Sequence, residues 1–387
     1  MWAATHQNSI GFQVEMFSHI TGGAFISSGV YGCVFRPALP CKDGKLIDPK
    51  HVSNISKISS MDRKYLDKEI AIGRRIRKVP IADHYFALAR DGICEAPADM
   101  LGKDSRVGDC EMLYDEDERD KKKYMIQQPF GGRDFEKTVL GSYKPETVDF
   151  YKIGQRLLEG LVIMAVTGVV HTDLHRENVL IDKHENAKII DFGAGVIIGD
   201  PVKSLVREFD PKYAQIAPEM SLWDAWKDKL ETTVAARRIA TEKGSMSMLR
   251  IYNGDTLDDQ VRKLAEYRMR SSYFKRGDFE GWWAIHWPKI DVWSVGFVLL
   301  HLWNKLSKYD GFAKNKVYIE KRRMILDVLR GMMDVNPMKR LNAVQALQKW
   351  APNSVVLRRY AGKWVSKSGG ERSGVSEGVE TPEEELI

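Results

Sequence analysis

Along the chain, short apolar stretches dominate the first third and helical periodicities dominate the rest. Phe25–Ser28 and Cys33–Arg36 are apolar-rich segments joined by a glycine turn, the pattern of a hairpin. Ile55–Ile58 alternates and predicts a strand. Tyr124–Gln127 predicts another, closed by the turn signal Pro129-Phe130-Gly131-Gly132. Between them, Asp62–Arg77 carries Leu66, Ile70 and Ile76 at helical spacing. Further on, Val148–Thr167 predicts a long helix through Phe150, Ile153, Leu157, Leu161 and Ile163. Two short strands follow, Val179–Ile181 and Ala187–Ile190. Val292–Trp303 is apolar on nearly every side, which predicts a buried helix, and Met324–Met333 and Asn342–Lys349 close the folded part. From Ser366 the chain is rich in Gly, Ser and Glu with almost no apolar content, the composition of a disordered acidic tail.

Composition narrows the class. A length of 387 residues suggests two lobes or domains, and 43% hydrophobic with 29% charged residues excludes collagen-like, mucin-like and wholly disordered chains. The formal net charge is +6 although residues 366–387 hold two basic against six acidic residues, so the body is more basic still. That balance suits polyanionic ligands such as nucleotides without implying nucleic acid. The four cysteines, Cys33, Cys41, Cys94 and Cys110, form no C-x-x-C pair. The expectation is therefore no disulfide framework, no structural zinc, and a reducing compartment. No signal peptide, myristoylation glycine or apolar run of membrane-spanning length is visible, so the expected location is cytoplasmic.

Candidate chemistry begins at Ile26-Ser27-Ser28-Gly29-Val30-Tyr31-Gly32-Cys33-Val34, where glycines between apolar strands would let backbone N–H groups approach phosphates. Lys57 stands in the middle of an apolar strand and needs an anionic partner if it points inward; Glu69 on the next helix could supply one. The strongest signal is His171-Thr172-Asp173-Leu174-His175-Arg176-Glu177-Asn178, set between a long helix and a strand, followed by Asp191-Phe192-Gly193 after a second strand. Asn178 and Asp191 offer oxygen ligands suited to Mg²⁺, leaving Asp173 to accept a proton from a hydroxyl.

On these residues the chain resembles the eukaryotic protein-kinase family over about residues 20–365, in the Ser/Thr branch. Ala217-Pro218-Glu219, Asp291-Val292-Trp293-Ser294-Val295-Gly296 and Arg340 are similar to three further family elements, with Arg340 expected to pair with Glu219. The run Gly32–Cys41 and Phe130-Gly131-Gly132-Arg133-Asp134 look most like kinases encoded by large nucleocytoplasmic DNA viruses. The resemblance implies an α+β, two-lobed fold: an N-terminal extension (1–19), a β-rich lobe (20–128), a helical lobe (129–365) and the tail (366–387). It implies ATP with Mg²⁺, Mn²⁺ being possible, held between the lobes. Asp173 and Lys57 would be catalytic and Asn178 and Asp191 metal ligands. The nucleotide would meet Ile26 to Val34, Lys57, Glu69 and a hinge at Gln128 and Phe130, with Gln127 behind the adenine.

The chain also departs from the pattern. Thr172 stands where an arginine usually receives an activation-loop phosphate, and His175 where a lysine usually contacts the γ-phosphate. His175 raises the alternative of a small-molecule phosphotransferase; a weakly active scaffold and a nucleic-acid binder are further rivals, the last disfavoured. The 220–289 stretch is a long insertion holding Trp223, Trp226, Trp282, Trp283 and Trp287. These tryptophans are either a docking platform for a partner or protein substrate, or packing that fastens the insertion to its lobe; the second is the simpler reading. Cys33 is read as a small strand-end residue rather than a redox switch.

Overall fold

The computed structural model describes residues 24–29, 32–48, 54–59, 61–97, 110, 122–135, 144–182, 184–202 and 210–362. The 1–19 extension, the 366–387 tail and the loop tip Val30-Tyr31 lie outside them. The described residues fall into two compact units. One runs up to Met61 and includes those of Ile93–Gln127; the other includes Asp62–Gly92 and continues from Gln128.

The first unit is a five-stranded sheet in the order β1-β2-β3-β5-β4. Its strands are β1 (Ala24–Gly29), β2 (Gly32–Arg36), β3 (Ile55–Ser59), β4 (Cys94–Glu95) and β5 (Tyr124–Gln128). The predicted hairpin is present, with Gly29 opposite Gly32. Gly32 has φ +148° and a Cβ there would stand 1.9 Å from the Ile58 carbonyl oxygen, so the position admits only glycine. A small core gathers Cys33, Phe35, Leu39, Ile58 and Met125.

All four cysteines are paired, against the sequence expectation: Cys33 with Cys110 and Cys41 with Cys94, at Cα separations of 6.0 and 5.8 Å. The partners lie 77 and 53 residues apart, so no local spacing announces them; the sheet brings them together. Cys33 is thus a cross-link at the base of the glycine hairpin, not a lone thiol.

The second unit is mainly helical. It begins with α1 (Arg63–Ile76), whose Ile72 and Ile76 join the large core. α2 (Phe150–Val166) follows, N-capped by Asp149 and buried over most of its length. Between and after them come β6 (Arg133–Asp134), β7 (Val169–Val170), β8 (Val179–Ile181), β9 (Ala187–Ile189) and β10 (Val196–Ile197). β8 and β9 pair antiparallel with Val179 opposite Ile189.

The insertion is a helical bundle built from α3 (Pro218–Lys227), α4 (Thr232–Glu242), α5 (Gly244–Asn253), α6 (Leu257–Arg270), α7 (Ser272–Arg276) and α8 (Phe279–His286). Trp223, Trp282, Trp283 and Trp287 are buried in it while Trp226 is exposed. Trp223 stacks on Phe274 at 4.0 Å and Trp282 Nε1 donates to the Tyr267 hydroxyl at 2.7 Å, so these side chains hold the bundle together.

The remaining helices are α9 (Ile290–Leu306), α10 (Asp310–Ala313), α11 (Lys316–Met332), α12 (Ala343–Trp350) and α13 (Val355–Tyr360). α9 is the predicted apolar helix, and α11 starts eight residues before the predicted Met324; of its first turns only Tyr318 is buried, among exposed charged and apolar residues.

Candidate active site

The site residues of the second unit are delivered by the β8–β9 hairpin. Asn178 precedes β8 and Asp191 lies two residues past β9; Ile190 N donates to the Asn178 carbonyl at 3.0 Å. One end of a single hairpin therefore carries both proposed metal ligands. Asn178 Nδ2 donates to the Asp173 carbonyl at 2.9 Å, which ties the loop back on itself and leaves the amide oxygen as that side chain's acceptor.

Asp173 is a quarter exposed. Its Oδ1 accepts from Gln215 Nε2 at 3.0 Å, and its Oδ2 lies 3.9 Å from His175 Nε2. The His175 ring also approaches Asn178 Nδ2 at 3.1 Å, so it turns toward the loop rather than away.

The loop is held from behind. Asp291, at the start of α9, accepts from His171 N at 2.6 Å and Thr172 N at 3.0 Å. Burial pushes the Asp291 carboxyl up, against these backbone donors and the nearby His171, which pull it down. His171 Nε2 meets the Ile190 carbonyl at 2.8 Å, which requires the proton on that nitrogen, and Nδ1 accepts from Asp173 N at 3.3 Å. The imidazole thus links the Asp173 loop to the segment leading into Asp191.

Thr172 and Asp191 have φ of +63° and +62°. Such backbone costs non-glycine residues about 1–3 kcal/mol each, most severely the β-branched threonine. Thr172 is secured by Asp291 and by its own hydroxyl, which donates to the Ala194 carbonyl at 2.9 Å. The strain falls on the two turns that present Asp173 and the Asp191 carboxylate.

α1 borders the same region. A Cβ at Gly193 would meet the Tyr65 ring at 2.0 Å, so Tyr65 packs directly on the turn after Asp191. Glu69, buried, stands one helical turn further on that face of α1.

In the first unit, Lys57 is buried in the middle of β3 opposite Val34. Ile26 and Ser27 are exposed and Val34 half-buried on the hairpin. Ser28 and Gly29 belong to β1. Gln127 spends its side chain on the Leu39 carbonyl and on Asp48 N. Gln128 is buried at the end of β5, and Phe130 is exposed.

Behind the site, Glu219 and Arg340 form the expected pair, and Arg340 also donates to the Asp334 carbonyl and lies over the Trp293 ring. The sequence reading did not assign Gln215, the anchoring role of Asp291 or the buried Lys243. A lone glutamine carries no local signal; an acid opening an otherwise apolar helix does.

The protein kinase domain profile matches residues 23–227, just over half of the chain. The chain belongs to the protein kinase family. Its α+β architecture, a sheet-rich unit followed by a helical one, is the kinase fold. The kinase is also similar to CBL-interacting serine/threonine-protein kinase 12 of Arabidopsis thaliana, 31% identical over 99 residues, 25% of this chain and 20% of the relative. The match thus spans a fifth of the curated relative's length. A protein kinase domain uses ATP and a divalent metal. The donors fit such a cation: one amide oxygen and one carboxylate, hard oxygen ligands at one end of a hairpin. Among the described residues no group of three or more His, Cys, Asp or Glu is placed to hold a metal ion by itself. Among the described residues no helix is long and apolar enough to cross a membrane.

Proposed function

We propose that this kinase transfers the γ-phosphate of ATP to serine or threonine hydroxyls of proteins. The observation that carries the reading is Asp173, partly exposed and held on a loop whose Asn178 neighbours the Asp191 turn. The acceptor oxygen bonds to the γ-phosphorus as the bond to the β-phosphate oxygen breaks, giving ADP. Asp173 orients that hydroxyl and receives its proton. Asn178 and Asp191 would hold Mg²⁺, whose positive charge would favour the negative charge developing on the leaving oxygen. On this reading Lys57 and the Ile26–Val34 hairpin would bind the phosphates, and Glu69, Gln128 and Phe130 are the further residues assigned to the nucleotide. The family element at Ala217–Glu219 supports a protein acceptor, and the similarity to a serine/threonine-protein kinase supports serine or threonine on it.

The origin we favour is a large DNA virus, acting in host cytoplasm or virion. Two paired disulfides favour the less reducing of these, the virion. His175, standing in Asp173-Leu174-His175 where a lysine usually contacts the γ-phosphate, raises a second reading, transfer to a small molecule. Incubating the purified chain with γ-labelled ATP and Mg²⁺, a peptide library and a metabolite extract decides between them. Label on serine and threonine peptides supports the first reading; label on metabolites alone overturns it.

A further inference from the structure

Gln215 reaches Asp173 across 42 residues. An ionised carboxylate only accepts, so the amide NH₂ is the group that must face it. Gln215 is itself fixed: its carbonyl accepts from Ser294 Oγ at 2.8 Å. Two residues earlier, the Tyr213 carbonyl accepts from Lys243 Nζ at 2.8 Å. Ser294 stands on α9 three residues after Asp291, and therefore on the same side of that helix. One helix thus grips the Asp173 loop through Asp291 and the 210–217 segment through Ser294, and the Gln215 amide spans the two.

An aspartate side chain has a broad, two-fold torsion at its carboxylate, so nothing intrinsic distinguishes its two oxygens. A donor on one oxygen does. We propose that Gln215 is a positioning residue for Asp173: by donating to Oδ1 it fixes the carboxylate plane and leaves Oδ2 to meet the acceptor hydroxyl. The donor is a neutral amide, so it orients the group without placing a full positive charge against it. This inference rests on the proposed protein-kinase reading, in which Asp173 faces the acceptor. It adds a link between the segment ahead of Glu219 and the base itself.

The test is a double-mutant cycle on the full chain. Gln215→Met keeps length and volume but has no donor; Gln215→Glu keeps the shape and sets a second carboxylate beside the first. The expected result is a kcat lower by roughly 10- to 100-fold in Gln215→Met and lower still in Gln215→Glu, with KM for ATP within about twofold and the thermal midpoint unchanged. In an Asp173→Asn background, Gln215→Met then costs nothing further, because the group it orients is gone. An active wild type whose kcat survives Gln215→Met, or whose loss is undiminished beside Asp173→Asn, overturns the inference while leaving the kinase reading intact. A wild type that labels no protein overturns the kinase reading, and the positioning role falls with it.

Discussion

Arg340 forks onto Glu219 across 121 residues of sequence, Nη1 to Oε1 at 2.6 Å and Nη2 to Oε2 at 2.7 Å, with both side chains wholly withdrawn from water. Neither charge can be left alone there. Arg340→Ala should lower stability by about 3–5 kcal/mol in urea titrations, since it strands a buried carboxylate. Arg340→Lys should recover only part, because an ammonium cannot reproduce the two parallel contacts.

Asp291 serves two backbone donors with one carboxylate. In Asp291→Asn an NH₂ group must face one of those N–H groups. The expected outcome is a loss of about 1–3 kcal/mol and faster hydrogen exchange at the His171 and Thr172 amides, with helices α11 and α12 undisturbed. Unchanged protection at those two amides would count against the anchoring role.

His286 gives the protein an acid sensitivity. Burial among Tyr267 and Trp282, helped by Lys289 and Arg340, pushes its imidazole down to about 3. The folded chain then binds fewer protons at this site than the unfolded chain between about pH 6.5 and about 3. Stability is full above that window and falls as pH drops through it, by about 2 kcal/mol at pH 5 from this group. Denaturation midpoints of wild type and His286→Phe across pH 7.5 to 5 should show a shallower slope in the variant.

The disulfides close spans of 77 and 53 residues. Loops of that length correspond to about 4 kcal/mol of stabilisation each on the chain-entropy account. Joint Cys41→Ser and Cys94→Ser substitution should lower the first melting transition seen by calorimetry, and a reducing agent should lower it further by opening Cys33–Cys110. A transition indifferent to both would contradict the pairing.

What the sequence made legible was what is local. The Val179–Ile181 strand, the α9 core helix and the spacing from Asp173 to Asn178 are written in neighbouring residues. The Glu219–Arg340 pair was reachable only through family resemblance. The cysteine pairs and the Gln215–Asp173 contact depend on how distant segments meet, and no short-range pattern encodes either.

The spacing of Asp291 and Ser294 gives α9 the character of a ruler. The gap between the strip that precedes Glu219 and the reactive loop is graduated by helical rise, 1.5 Å per residue, rather than by any flexible side chain. Inserting one residue between positions 291 and 294 would swing the second grip about 100° around the axis. The two grips would fall out of step, a failure no single side-chain replacement could mimic.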